Sequence, residues 1–305
     1  MKFLITGGAG FIGSHLTDKL IEKNHKVVVL DNLSTGKKEN LNKKAKFYKA
    51  DICSSSISKI FKKEKPEIVF HYAAQIDVGK SLENPVLDAK VNILGTLNLL
   101  ENCRKFKIKK FIFASSVGVY GEPEALPLKE NYPLNPLSPY AVTKLAVEKY
   151  LNYYRFQGLD FVCLRHSNVY GKRQSSKGEG GVVAIFIDRI LKREKPVIFG
   201  DGRQTRDFLY VDDAVTSAFL SLKSPPSSVY NFGTNKEISV NSLLSLISRV
   251  SGQTIKPNFR PFRPGEIIKS RVDFSRAKKE LNWQPKYNLE EGLKKTAEWF
   301  KLKFL

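Results

Sequence analysis

A chain of 305 residues with 42% hydrophobic content can bury a sizeable core as one large domain or two smaller ones, and its three cysteines, Cys53, Cys103 and Cys163, lie far apart in no metal-ligand spacing, which argues against a disulfide framework or a zinc site. The net charge of +21 is scattered in pairs such as Lys62-Lys63, Lys109-Lys110 and Lys278-Lys279, with no basic tail or interleaved aromatic platform, so it reads as a solvated field that attracts anionic small molecules and not as a nucleic-acid face. No apolar stretch reaches the roughly 18 residues of a membrane helix, and the opening Met1-Lys-Phe-Leu-Ile5 runs into glycines instead of a cleavage site, so no membrane contact and a cytoplasmic location are the expectation.

The first element organises the rest. The apolar run Phe3-Leu-Ile-Thr6 breaks into Gly7, Gly10 and Gly13 and an amphipathic segment follows, which predicts strand, tight turn and helix. Gly7 allows the turn, and Gly10 lets the backbone approach a diphosphate. Phe11, Ile12 and Gly13 open a helix whose free N–H groups face that anion. Asp31 ends the next apolar run, Val27-Val-Val-Leu30, roughly 20 residues past the glycines, with Asn32 behind it. A carboxylate there accepts from an adenosine ribose and repels a 2′-phosphate, favouring NAD over NADP, although Lys37 and Lys38 nearby pull the other way.

Lys46-Phe-Tyr-Lys-Ala50 predicts a third strand ending at Asp51-Ile52, where Asp51 either contacts the adenine amino group or serves as a turn former. Ile57, Ile60 and Phe61 mark a helix, and Glu67-Ile-Val-Phe70 a fourth strand running into His71-Tyr-Ala-Ala74. Ala73 and Ala74 would leave space for a coenzyme along the sheet edge. The spacing from Pro85 to Arg104 predicts one long helix on which Asn92 is either a surface amide or a residue facing the cleft. Lys110-Phe-Ile-Phe-Ala114 makes a fifth strand ending in Ser115-Ser116. A proline-rich loop from Glu122 to Pro139 then delivers a helix beginning near Ser138, with Tyr140 in its first turn. Asp160-Phe-Val-Cys-Leu-Arg165 is the sixth strand.

Six strands separated mostly by helices predict an α/β, doubly wound parallel sheet of Rossmann type. Beyond it, helices are expected at 182–192, 212–222, 239–250, 275–281 and 289–302, and strands at 197–199 and 229–232. A further strand near 203–210 is expected to rejoin the sheet. The domain division is therefore 1–165 plus about 203–230 for the coenzyme, and about 166–202 plus 231–305 as a smaller mixed α/β substrate domain.

Of the twelve tyrosines, Tyr140 alone has a lysine, Lys144, four positions on, which puts both on one helix face. A phenol is a poor base at its free pKa of about 10; a nearby ammonium and a cationic nicotinamide ring would bring it towards neutrality. Ser116 could donate to the same substrate oxygen.

These residues resemble the extended short-chain dehydrogenase/reductase family, within it the NAD-dependent epimerases and dehydratases of UDP-glucose 4-epimerase type. The resemblance covers nearly the whole chain: Gly7 to Gly13, Asp31, Asp51-Ile52, His71 to Ala74, Asn92 with Gly95-Thr96, Ser115-Ser116 through Gly121, and Tyr140 with Lys144. It continues through Asn168-Val-Tyr-Gly171, Gly200-Asp-Gly202 with Arg206-Asp-Phe208, Val211-Asp-Asp213, Arg263-Pro-Gly-Glu266 and Leu281-Asn-Trp283. It implies Ser116, Tyr140 and Lys144 as the catalytic set, NAD as a coenzyme that is not consumed, and no metal. The reaction implied is inversion of a UDP-hexose at C4 through a 4-ketose. Asn168, Arg206 and Arg263 would grip the diphosphate, Glu266 the uridine ribose, and Val183 and Ser270 would line the substrate. A homodimer pairing the helices at 85–104 and 138–156 is also implied.

The departures carry information. His166 stands where many members have tyrosine; the resemblance places it among the coenzyme contacts, and a histidine after a buried strand is more often a packed, hydrogen-bonded residue than a new catalyst. Ile76 replaces a lysine that some relatives place near the coenzyme ribose. Ser270 is small where a bulky residue can block 2-acetamido sugars. The positions after Ser116 hold Val117 and Gly118, where related dehydratases and decarboxylases carry an added carboxylate. That disfavours both reactions, while UDP-glucuronate epimerisation survives. A non-catalytic NAD sensor or scaffold would have no use for the Ser116, Tyr140 and Lys144 set.

Overall fold

The computed structural model describes residues 1–177, 181–263 and 266–303. Its centre is a seven-stranded sheet. Strands β1 (Lys2–Thr6), β2 (Lys26–Asp31), β3 (Lys46–Lys49), β4 (Ile68–His71), β5 (Lys110–Ser116) and β6 (Asp160–His166) are joined by a last strand, Ser228–Phe232. Their order across the sheet is β3, β2, β1, β4, β5, β6 and then Ser228–Phe232, every pair parallel. The chain starts at the middle and winds outward in both directions, so the strand order reverses between β1 and β4. That crevice at the strands' C-terminal ends is where such sheets bind ligands.

Both faces are covered, and the strands are accordingly near-continuous apolar runs. Alternation sends Phe3, Ile5, Val27, Val29, Phe70 and Ile112 to one face, in one core with the helix Val211–Leu220, and α1 (Phe11–Glu22) packs beside that helix. It sends Leu4, Val28, Leu30, Val69 and Phe111 to the other, under α2 (Ile57–Glu64), α5 (Gly95–Lys105) and α6 (Pro139–Phe156).

Two expectations are corrected. The segment at 203–210 does not rejoin the large sheet. Thr205–Arg206 pairs antiparallel with Ile238–Ser239, and Phe208–Tyr210 pairs with Asn168–Tyr170. The returning strand is Ser228–Phe232, which the chain reaches only after the helix Val211–Leu220, because a parallel neighbour of β6 needs a crossover long enough to span the sheet. The helix from Pro85 is not uniform either. The short α3 (Val78–Glu83) precedes it, α4 (Pro85–Ala89) opens it, a π turn occupies Lys90–Leu94, and α5 completes it. Such wide turns inside a helix commonly mark functional sites.

Beyond His166 the helices Val182–Leu191, Val240–Ser251 and Leu289–Lys301 pack on one another, and Val197–Phe199 pairs with Asn258–Arg260. Their apolar faces continue the core below the sheet without a break.

Candidate active site at the sheet switch point

The glycine turn has the shape its residues predict. Gly7 sits at φ +71°, and a Cβ there would lie 2.6 Å from the Ala73 nitrogen at the end of β4. A Cβ on Gly13 would collide with the Gly7 carbonyl, so only glycine lets α1 close on the strand. Gly10 is the N-cap of α1 and supplies no side-chain hydrogen bond, so the first-turn N–H groups of Phe11 and Ile12 are left without a side-chain cap and available to an anion. Asp31 is locked beside them. One oxygen accepts from Ala9 N (3.0 Å) and the other from Leu33 N (2.8 Å), and each retains a lone pair. Gly36 stands so near that a Cβ would come 2.8 Å from Asp31 Oδ1. A dinucleotide with free ribose hydroxyls fits this cradle, whereas a 2′-phosphate would meet a fixed carboxylate. Lys37, the possible counter-argument, is paired with Glu39 at 3.6 Å.

Asp51 makes a turn: its carboxylate accepts from Cys53 N (2.8 Å) and Asn32 Nδ2 (3.0 Å). Ile52 is buried against Gly95. Of the two readings left open for Asp51, the local one has its partners in place.

Asn92, at the π turn, is neither a surface amide nor a free cleft residue. Its Oδ1 accepts from Gln75 N (2.8 Å) and its Nδ2 donates to Gln75 O (3.0 Å), so it clamps the segment that follows Ala73 and Ala74. A second clamp lies alongside. Ala73 N donates to Thr6 Oγ1 (3.3 Å), which meets His71 Nδ1 at 2.6 Å; His71 Nε2 meets Thr96 Oγ1 at 2.8 Å, and Thr96 donates to Asn92 O (2.6 Å). Because the Thr96 proton is committed to Asn92 O, His71 must donate through Nε2 and accept at Nδ1. Burial pushes His71 down to about 3, with the Lys144 charge adding to the shift, so the ring stays neutral.

Two elements, β5 and α6, bring the chemical groups together. Ser138 caps α6 by accepting from Ala141 N (3.3 Å), with Pro139 at the first helical position, and this fixes the turn that carries Tyr140. Ser116, at the end of β5, accepts from Gly118 N (3.1 Å), and its hydroxyl acts on the Tyr140 phenol, lowering its pKa. Lys144 lies one turn on, its Nζ 5.6 Å from the Tyr140 ring centroid and 2.8 Å from Ala114 O, to which it donates. Burial holds the phenol up at about 12, the Ser116 hydroxyl working against it and Asp88 with it. Burial also brings Lys144 down to about 8, against the pull of Asp88 and Glu148. In the chain alone desolvation outweighs the ammonium, so the expected near-neutral phenol requires a further positive charge in the crevice.

The residues that the resemblance assigns to the nucleotide form a second linked group. Arg206 donates to Thr205 O (2.8 Å) and pairs with Glu266 at 3.3 Å; the second Glu266 oxygen is buried with no hydrogen-bond partner among the described residues. Arg263 lies over the Phe199 ring at 3.9 Å, and Asn168 holds its strand through a bond to Asp207 O (2.9 Å). Pro264 and Gly265 of the Arg263 to Glu266 motif lie outside the described residues. Ser270 is buried two residues from Val272, which packs with Val117 and Tyr120 over the Ser116 turn.

Two assignments change. Val183 is 1% exposed and packs in the core with Phe186 and Ile187, because that face of its helix is buried, so its side chain is not available to a substrate. His166 is turned to the helix Val211–Leu220: Nε2 meets Ser217 Oγ at 2.9 Å, the ring packs on Phe232, and burial brings it to about 4. It anchors a strand end and offers no free nitrogen edge for a coenzyme at Nε2.

A family model described as GDP-mannose 4,6 dehydratase matches residues 4–296. The chain belongs to this NAD-dependent epimerase/dehydratase family. It is 45% identical to the UDP-glucose 4-epimerase of Mycolicibacterium smegmatis, over 99% of each chain. The solved UDP-glucose 4-epimerase of Thermotoga maritima with UDP-glucose matches it at a TM-score of 0.98 and 46% identity, covering 100% of both chains. The Thermus thermophilus UDP-glucose 4-epimerase in complex with NAD matches at 0.94 and 40% identity, covering 99% of each.

This epimerase/dehydratase uses supporting residues that pattern reading passed over. Asp207, fully buried, accepts from Thr234 N and Oγ1 (2.7 Å each) and from Asn235 N (3.1 Å), tying the Arg206 strand to the end of Ser228–Phe232. Glu148, on the Tyr140 and Lys144 face of α6, binds Arg165 at 2.6 Å and accepts from Ser115 Oγ at 2.5 Å. The four-residue spacing after Lys144 was the available signal for Glu148.

Proposed function

We propose that this chain is an NAD-dependent UDP-hexose 4-epimerase that interconverts UDP-glucose and UDP-galactose, an isomerase in which the coenzyme is not consumed. The observation that carries the reading is the joined set of Ser116, Tyr140 and Lys144 at the sheet switch point, with Val117 and Gly118 supplying no second acid beside it. A 4,6-dehydration or a decarboxylation needs another group to move a proton or seat an acid, and a 4-epimerisation does not. Bound NAD supplies a reversible two-electron acceptor.

The protein residues do the rest. Ser116 holds the substrate C4 oxygen, and Tyr140 takes its proton as C4 is oxidised to a ketone and gives it back when C4 is reduced on the opposite face. Lys144 supplies positive charge behind the phenol, adding to that of the oxidised coenzyme, and so favours the phenolate at working pH. Arg206, Arg263 and Asn168 hold the diphosphate, arginine forks being suited to its oxygens. The unpartnered oxygen of Glu266 accepts a uridine ribose hydroxyl. Gripping the nucleotide while leaving the hexose loosely held is what lets the 4-ketose turn over between the two steps. Ser270 leaves room for a 2-acetamido group, extending the substrates to UDP-N-acetylglucosamine.

Proton NMR of UDP-glucose and of UDP-N-acetylglucosamine with catalytic NAD tests this. The C4 epimer is expected from both. An unchanged UDP-N-acetylglucosamine sample would remove the Ser270 argument, and two unchanged samples from NAD-bound protein would overturn the UDP-hexose assignment in favour of UDP-glucuronate.

The domain division follows from the same reading, with 1–165 and about 203–230 serving the coenzyme and the remainder the sugar nucleotide. A homodimer fits the surface: Leu82, Val86, Leu87, Leu94, Val142 and Tyr153 are all exposed along α3, α4, the π turn and α6. Sedimentation equilibrium is expected to give twice the chain mass of 34.5 kDa; a single-chain mass at micromolar concentration would rule that pairing out. No helix among the described residues is long and apolar enough to cross a membrane. A cytoplasmic location suits a sugar-nucleotide substrate.

A further inference from the structure

One buried carboxylate has no part in the chemistry above. Asp88, on α4, is 0% exposed, yet all its side-chain hydrogen bonds come from neutral groups: Gln75 Nε2 (2.8 Å) and Asn92 Nδ2 (3.1 Å) on Oδ1, and Thr143 Oγ1 (3.1 Å) on Oδ2. Three donors and no acceptor form a setting for an ionised carboxylate. Burying such a charge without a cation is costly. Thr143 lies on α6 between Tyr140 and Lys144 and can also bond Tyr140 O (2.8 Å), so Asp88 abuts the turn that carries both groups. The charges and titratable groups around Lys144 are Tyr140 and Glu148 from α6, Asp88 from α4, His71 from β4 and His166 from β6. Both histidines are buried and neutral, and Glu148 is already paired with Arg165. That leaves Asp88 as the carboxylate with hydrogen-bond donors but no cationic partner among the described residues.

We propose that Asp88 is a positioning residue for the reaction: a buried counter-charge that keeps Lys144 cationic behind Tyr140 while its bond to Thr143 fixes the turn bearing them. The inference rests on the Tyr140 and Lys144 roles given above. Its charge acts on both groups in the same direction, favouring the protonated lysine and the protonated phenol.

Asp88→Asn isolates the charge. The new amide N–H can donate to Thr143 Oγ1, Thr143 can donate to Tyr140 O, and the remaining oxygen can still accept from Gln75 and Asn92, so no buried polar atom loses its partner. With NAD bound, heteronuclear NMR titration of the lysine side chains is expected to show Lys144 titrating about one pH unit lower in Asp88→Asn than in wild type. The kcat/KM profile should move with it, both limbs towards acid. In Thr143→Val, which breaks the hydrogen bond and keeps the charge, the Lys144 titration should stay in place while the rate falls. A Lys144 titration unchanged in Asp88→Asn would overturn the proposal. If Asp88→Asn does not fold, a Lys144 midpoint in Thr143→Val that falls as far as one pH unit would equally contradict it, since the charge is still there. The titration needs no turnover, so a failed UDP-hexose assignment would appear as a missing kcat/KM profile with the Lys144 difference intact.

Discussion

Tyr140→Phe is expected to lower kcat by about 10²- to 10⁴-fold, the range of a lost general acid–base group, with little change in NAD affinity or folding stability. The phenyl ring keeps its place over Lys144, and Lys144 keeps its bond to Ala114 O, so the positioning of the site survives. What disappears is the phenolic oxygen proposed above to receive and return the substrate proton. Single-turnover kinetics with the NAD-loaded protein measure the chemical step directly. A fall of less than about tenfold would show that another group carries the proton, and Ser116 would become the first candidate.

Glu148→Ala is expected to be the most destabilising single change at the site, about 3–5 kcal/mol in equilibrium urea denaturation. Glu148 and Arg165 are both nearly fully buried, joined by Nη2–Oε2 (2.6 Å) and Nε–Oε1 (3.0 Å) bonds. Burial works against the Arg165 charge, and Glu148 outweighs it, holding the guanidinium above its ordinary pKa. Removing the carboxylate leaves that cation in the interior and takes the acceptor from Ser115 Oγ, whose neighbour is Ser116. The magnitude comes from the abandoned charge more than from the lost bonds. A Glu148→Leu, Arg165→Met double variant should therefore recover most of the stability, since a buried pair replaced by apolar groups of like volume is often neutral. If Glu148→Ala costs under about 1 kcal/mol, Arg165 has another counter-charge. If the double variant is no better than the single one, the hydrogen bonds dominate.

Much of the site was legible because its residues act through local rules. Glycines at 7 and 13 are required by backbone sterics within one turn, and the carboxylate at Asp31 is marked by its place at the end of the next strand. Tyr140 and Lys144 are linked by helix periodicity, and Ser138 and Pro139 mark where that helix begins. The turn role of Asp51, one of two readings the sequence left open, is equally local, two residues from its partner Cys53.

The rest was decided by contacts between residues far apart in sequence. A single-residue pattern has no means of stating that Asp88 reaches Thr143 across 55 positions, that Glu148 meets Ser115 across 33, or that Asp207 receives Thr234 across 27. The segment at 203–210 has strand-like residues, but which sheet it enters depends on which edge is open to it, and the edge beside β6 is filled by Ser228–Phe232. The side chains of Val183 and His166 turn into the core for the same reason: each has a suitable residue type, and only packing settles which way it faces. The sequence by itself determined the sheet class, the dinucleotide turn and the Tyr140 and Lys144 pair, because backbone sterics and helical spacing act over a few residues. The tertiary structure alone decided the buried charges around that pair and the burial that holds the phenol near 12, because desolvation and counter-charge depend on what the rest of the chain brings alongside.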